Sequence, residues 1–149
     1  MRRLCSGYLP QNCTIYIDNF FNSISLLEKL REENIHVIGT IRSDRVEKAP
    51  LREIKKESRG TFHVLHDETS KITLIRWNDN SQVTMATNLE KDKCEGLSYC
   101  KRWSKAKREK ISVPMPNIIK EYNRSMGGVD LFDRIRGLYR IRIRNKRWH

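Results

Sequence analysis

Apolar residues recur along this chain with two different periods. Thr14, Ile15, Tyr16 and Ile17 are all β-branched or aromatic and predict a short buried strand. Asp18 and Asn19 end it. A capping type of residue, Asn22 or Ser23, then introduces Ile24, Leu27 and Leu30 at helical spacing, with Glu28, Lys29, Arg31, Glu32 and Glu33 left for solvent. This predicts a helix over 23–33, with Asn34 as its stop. Residues 36–41 form a second apolar strand, and strand, helix, strand in that order predicts a parallel pair with a right-handed crossover. A period of two returns over 61–65, 72–77 and 82–87, with Asp67-Glu68-Thr69-Ser70 and Asn78-Asp79-Asn80-Ser81 as turns between. These are the strands of an antiparallel meander, with Trp77 in its core.

Past residue 88 the pattern fades. Residues 89–112 are lysine-rich and poor in apolar groups, which predicts a basic linker or mobile surface loop. Trp103, set among lysines and arginines, leaves DNA contact open as a second reading. Pro114 and Pro116 are expected to open a helix over 117–124 with Ile118, Ile119 and Tyr122 as its apolar face. Gly127-Gly128 then bends or breaks the chain, and a last helix is expected over 129–139. Asp130 and Asp133 are three apart and share a face near its positive end. Each acid has two readings at this point. Asp18 caps a helix, or it stands at the carboxyl end of a core strand, where open α/β sheets place their chemistry. Asp130 and Asp133 favour a helix dipole, or they join Asp18.

Composition narrows the choice. With 149 residues the chain is one domain long and able to bury a modest core. Its longest apolar runs fall well short of the roughly 20 residues that cross a bilayer. The opening residues lack the apolar block of a secretory signal, so export is not expected. Cys5, Cys13, Cys94 and Cys100 are accordingly expected as free thiols, and neither their spacing nor that of His63 and His66 suits zinc. The net charge of +12 suits a polyanionic partner, with nucleic acid ahead of a membrane surface. Arg42 and Arg45 follow the second strand; Arg134, Arg136, Arg140, Arg142, Arg144, Lys146 and Arg147 follow the last acid. They are candidates for DNA backbone contact, the last group also for a nuclear-import patch or an unstructured tail.

Two segments carry a family resemblance: Ile15-Tyr16-Ile17-Asp18-Asn19-Phe20-Phe21, and Tyr122-Asn123-Arg124-Ser125-Met126-Gly127-Gly128-Val129-Asp130-Leu131-Phe132-Asp133. Together they resemble the piggyBac-type transposases, and the likeness runs over residues 15–148. It implies an α/β fold: an incomplete RNase H-like domain of strand-helix-strand, an inserted antiparallel β-meander over 58–88, the basic linker over 89–112, and C-terminal helices. It also implies that Asp18 and Asp130 are the second and third acids of a metal-binding triad, with Asp133 accompanying. Mg²⁺ or Mn²⁺ would be the cofactor, DNA ends and TTAA target the substrates, the transposase itself a partner, and the nucleus the location. In such domains the first acid stands on an opening strand, and no acid precedes Asp18 in this sequence. The resemblance therefore implies part of a catalytic domain that is inactive on its own. The alternative is a non-catalytic, transposon-derived polypeptide that binds DNA or a transposase.

Overall fold

The protein is described from a computed structural model, which covers residues 9–10, 12–46, 49–94, 96–105 and 107–139; of Asp92, Lys93, Val129, Asp130 and Asp133 only the backbone is described. The elements in chain order are β1 (Thr14–Ile17), α1 (Ile24–Glu32), β2 (His36–Thr40), a single 3-10 turn (Ser43–Arg45), β3 (Phe62–Asp67), β4 (Ile72–Asn78) and β5 (Gln82–Thr87). There follow α2 (Lys91–Cys94), β6 (Leu97–Ser104), β7 (Glu109–Pro116), α3 (Asn117–Ser125) and α4 (Gly127–Leu138).

Five strands form one mixed sheet in the order β1-β2-β5-β4-β3. The β1–β2 pair is parallel, as the strand-helix-strand pattern predicts, with Ile17 opposite Gly39. The expected meander is antiparallel, and β5 also pairs with β2. The segment expected as an insertion is thus the greater part of the sheet. Of the two capping candidates, Ser23 caps α1, its hydroxyl accepting from Leu26 N–H at 3.3 Å. Asn34 ends the helix in the left-handed region at φ 56°, and the amides of Asn34 and Ile35 return to the carbonyls of Arg31 and Leu30.

Successive strand residues point to opposite faces, and both faces are covered. On one side Ile17, Val37, Ile72, Leu74 and Ala86 meet Leu27 and Leu30 of α1. On the other, Ile38, Ile75, Trp77 and Met85 meet Val113 and Met115 of β7 and Ile118 and Ile119 of α3. Trp77 is in the core, its indole N–H donating to Pro114 O at 2.9 Å.

The expected linker over 89–112 is a correction. Most of it is the short helix α2 and a hairpin, β6–β7, that covers the second face of the sheet. Its composition misleads because β6 alternates in an unusual sense. Leu97, Tyr99, Lys101 and Trp103 face outward, while Ser98, Cys100, Arg102 and Ser104 face inward. Of the prolines expected to open α3, Pro116 does stand at its N-cap, and both also belong to β7. They sit two apart and so share one edge of a strand that pairs on one side only, where a missing N–H costs the ladder nothing. Helix α4 starts at Gly127, with Met126 as the bend between it and α3.

No described helix is long and apolar enough to cross a membrane. Cys13, Cys94 and Cys100 are not disulfide-bonded; Cys5 lies outside the described residues.

Candidate active site

Asp18 is the first residue after β1, exposed at the carboxyl end of the parallel pair. Its position follows from the strand: Ile17 is drawn into the core, and the next residue leaves it. One carboxylate oxygen, Oδ1, accepts from Asn19 N–H at 2.6 Å and from the Thr40 hydroxyl at 3.4 Å. Among the described residues none donates to Oδ2 within hydrogen-bond distance. Thr40 ends β2, one step past the Ile17–Gly39 pair, so the parallel register itself sets it beside Asp18.

The loop after Asp18 is held from three directions. Arg45 Nη1 donates to the carbonyls of Asn19 at 3.2 Å, Phe20 at 2.8 Å and Asn22 at 3.1 Å. Asn22 is wholly buried and donates to Thr40 O at 3.0 Å. Gly39 makes this approach possible, because a Cβ there would lie 2.6 Å from Ile17 O and 2.8 Å from Asn22 Nδ2. Phe20 and Phe21 stand exposed, edge to face at 5.1 Å, with the Arg42 guanidinium 6.0 Å from the Phe20 ring.

Helix α3 brings in the second motif. The motif's first residue, Tyr122, places its hydroxyl 3.4 Å from the Thr40 hydroxyl. The residue before it, Glu121, accepts from Tyr16 of β1 at 3.0 Å and from Arg124 at 2.9 Å. Burial raises the Tyr122 phenol above its usual value; the Thr40 hydrogen bond opposes this and the Asp18 charge adds to it. The two sequence motifs thus meet through Asp18, Thr40 and Tyr122. Sequence reading assigned Tyr122 to a helix face and left Thr40 unremarked. The signal available for Thr40 was its place at the end of a strand parallel to the one carrying Asp18.

The remaining candidates divide. Asp130 and Asp133 are the fourth and seventh residues of α4, which follows α3 directly. Arg45 is half-buried and engaged with backbone, so it shapes the loop, whereas Arg42, Arg134 and Arg136 are exposed. Arg140, Arg142, Arg144, Lys146 and Arg147 lie outside the described residues. Among the described side chains no three His, Cys, Asp or Glu gather as a metal cluster, and Asp130 and Asp133 are not among those side chains.

Comparison with known proteins bears on this arrangement. A family model described as Transposase IS4 matches residues 1–149. Human PiggyBac transposable element-derived protein 3 is 42% identical over 143 residues, a match covering 94% of this chain and 24% of that protein. Human PiggyBac transposable element-derived protein 2 is 33% identical over 146 residues, covering 96% of this chain and 24% of that protein. A chain of the cryo-EM structure of a piggyBac transposase synaptic complex with hairpin DNA shares the fold, with a TM-score of 0.62 at 24% identity over 91% of this chain and 26% of that one. The chain therefore spans about a quarter of the length of these relatives. With the model matched from end to end and both motifs converging on one sheet end, the chain belongs to the Transposase IS4 family and is a piggyBac-type, transposase-derived domain.

Proposed function

We propose that this chain is part of an RNase H-like catalytic domain for metal-dependent DNA cleavage and joining, with Asp18 and Asp130 as metal ligands and Asp133 in support. The observation that carries it is the link from Asp18 through Thr40 to Tyr122, the residue that opens the motif containing Asp130. The donor set fits a hard divalent cation such as Mg²⁺ or Mn²⁺: Asp18 is an exposed carboxylate, and Oδ2 is left available by its protein neighbours. When bound, such ions would activate the attacking water or 3′-OH and stabilise the leaving oxygen. The chain's own residues do the positioning. Asn19 N–H and Thr40 fix the carboxylate through Oδ1, Arg45 and Asn22 hold the loop, and Tyr122 ties α3 to the strand end. Arg42, Arg134 and Arg136, together with the basic residues from Arg140 onward, would face the DNA backbone. DNA ends and TTAA target, self-association and a nuclear location belong to the same proposal.

A second reading is a DNA-binding polypeptide without catalysis, favoured by the net charge of +12, which suits a polyanionic partner whether or not the acids act. Titration of the purified chain with Mn²⁺ separates the two. The first reading expects binding that Asp18→Asn and Asp130→Asn each weaken by tenfold or more, roughly the loss of one charged ligand. Mn²⁺ binding indifferent to both substitutions would leave only the second. With two of three acids present, neither reading expects the isolated chain to nick a TTAA-containing duplex. Metal-dependent nicking abolished by Asp18→Asn would overturn that expectation and make the chain an enzyme in itself.

A further inference from the structure

The outward side of β6 is exposed along its whole length. Cross-strand pairing fixes its pattern as Leu97 with Pro116, Tyr99 with Pro114, Lys101 with Ser112 and Trp103 with Lys110. Trp103 is 57% exposed and Tyr99 67%, in a ribbon whose opposite face buries Val113 and Met115. A strand in a folded sheet normally buries its aromatics, since each removes a large apolar area from water. Here the order is reversed, and the inward side of β6 carries serines, a cysteine and an arginine.

The exposed rings are set among cations. Lys101 lies between them on the same face, Lys110 lies across from Trp103, and Lys105, Lys107 and Arg108 are exposed in the connecting turn. Residues at every second position of a strand are about 6.8 Å apart, so Tyr99 and Trp103 stand about 13–14 Å apart with a lysine midway. The ribbon is also held in place. Asp79 binds Arg59 at 2.5 Å and Arg102 at 2.9 Å, and Arg59 donates to Trp103 O at 3.2 Å. The rings are therefore presented on a braced backbone, which lowers the ordering cost of binding.

We propose that this face binds unpaired DNA, with bases stacked on Tyr99 and Trp103 and phosphates on Lys101 and Lys110. Alternating aromatic and cationic side chains along one strand match the alternating base and phosphate of a single strand, and each element of that match is chemically specific. In a duplex the base faces are already stacked, so the same surface has only its charge to offer. The proposal rests on DNA being the partner of this domain, and it assigns the ribbon a role separate from the acids.

The test is fluorescence anisotropy of a labelled oligothymidylate of about 16 nucleotides, in EDTA, with a duplex of equal length alongside. Trp103→Ala and Tyr99→Ala should each weaken single-strand binding about tenfold, and duplex binding by less than about twofold. Both side chains are exposed, so thermal melts should be unchanged. Stacking should also quench the indole emission that distinguishes wild type from Trp103→Phe, a readout independent of the alanine variants. Single-strand affinity that survives both alanine substitutions would overturn the proposal while leaving DNA as the partner. An equal loss on duplex, or a loss seen on phosphatidylserine vesicles instead of the oligonucleotide, would overturn it as well. A wild-type chain that binds neither form of DNA would remove the partner itself, and with it the function proposed above.

Discussion

At the scale of single residues, the candidate site is organised by hydroxyl groups as much as by acids. Tyr122 is half-buried, and its neutral phenol is favoured chiefly because burial penalises the phenolate, with the Asp18 charge acting in the same sense. A phenol whose value is raised on folding binds its proton more tightly in the native state. Its contribution to stability is therefore complete below the usual tyrosine value of 10.0 and is lost as pH rises beyond that through the raised value. Spectrophotometric titration should show one tyrosine ionising later than the rest and missing from Tyr122→Phe. In Asp18→Asn that ionisation should move to lower pH, because one of the two raising causes is gone. A Tyr122 titration indifferent to Asp18→Asn would separate the two motifs electrostatically and remove the main support for a shared site.

At the scale of elements, how well the sequence could be read depended on which side chains each element buries. Helix α1 and strands β1, β2, β4 and β5 announce themselves because their inward positions are Ile, Val, Leu and Met and their ends carry capping or turn residues. The β6–β7 hairpin stayed hidden because its apolar rings face outward and its lysines crowd the same side. No local pattern reveals a strand whose inward, half-buried face is Ser98, Cys100 and Arg102. The meeting of Thr40 with Tyr122 was hidden for another reason: they are far apart in sequence, and α3 crosses the sheet only because the hairpin first returns the chain to that face. Asp79 is the brace of this arrangement, with both carboxylate oxygens engaged by arginines and little exposure of its side chain. Asp79→Ala would leave Arg59 and Arg102 partly buried without a counter-ion, at a cost of about 1–3 kcal/mol. Hydrogen exchange should quicken at the distal end of the ribbon, around Trp103 and Lys110, and hardly change in β1 and β2. Equal quickening throughout the sheet would mean that the brace serves the core and not the ribbon.

At the scale of the whole molecule, the ribbon and the acids lie at the two ends of one short connection. Strand β7 runs straight into α3, whose nine residues span about 13 Å at 1.5 Å each. Tyr99 pairs with Pro114 and Trp103 with Lys110, so a nucleic-acid strand held on both rings would have to extend past the start of α3 to approach the end of β1. A net charge of +12 would favour the approach of such a polyanion. At physiological salt, however, charges act over only about 8 Å, so affinity depends on cations close to the bound phosphates and not on the total. If Lys101, Lys105, Lys107, Arg108 and Lys110 account for about five phosphate contacts, the logarithm of duplex affinity should fall with the logarithm of salt at a slope of about −4.5. Raising salt fourfold would then weaken binding roughly 500-fold. Replacing Lys101 and Lys110 by glutamine should flatten the slope by about 2, whereas Asp18→Asn should leave it unchanged. A slope near zero would mean that the basic excess merely keeps the chain soluble. A steep slope untouched by the two lysines would shift the interface to Arg42, Arg134 and the basic residues beyond them, and leave the ribbon with its aromatic face alone.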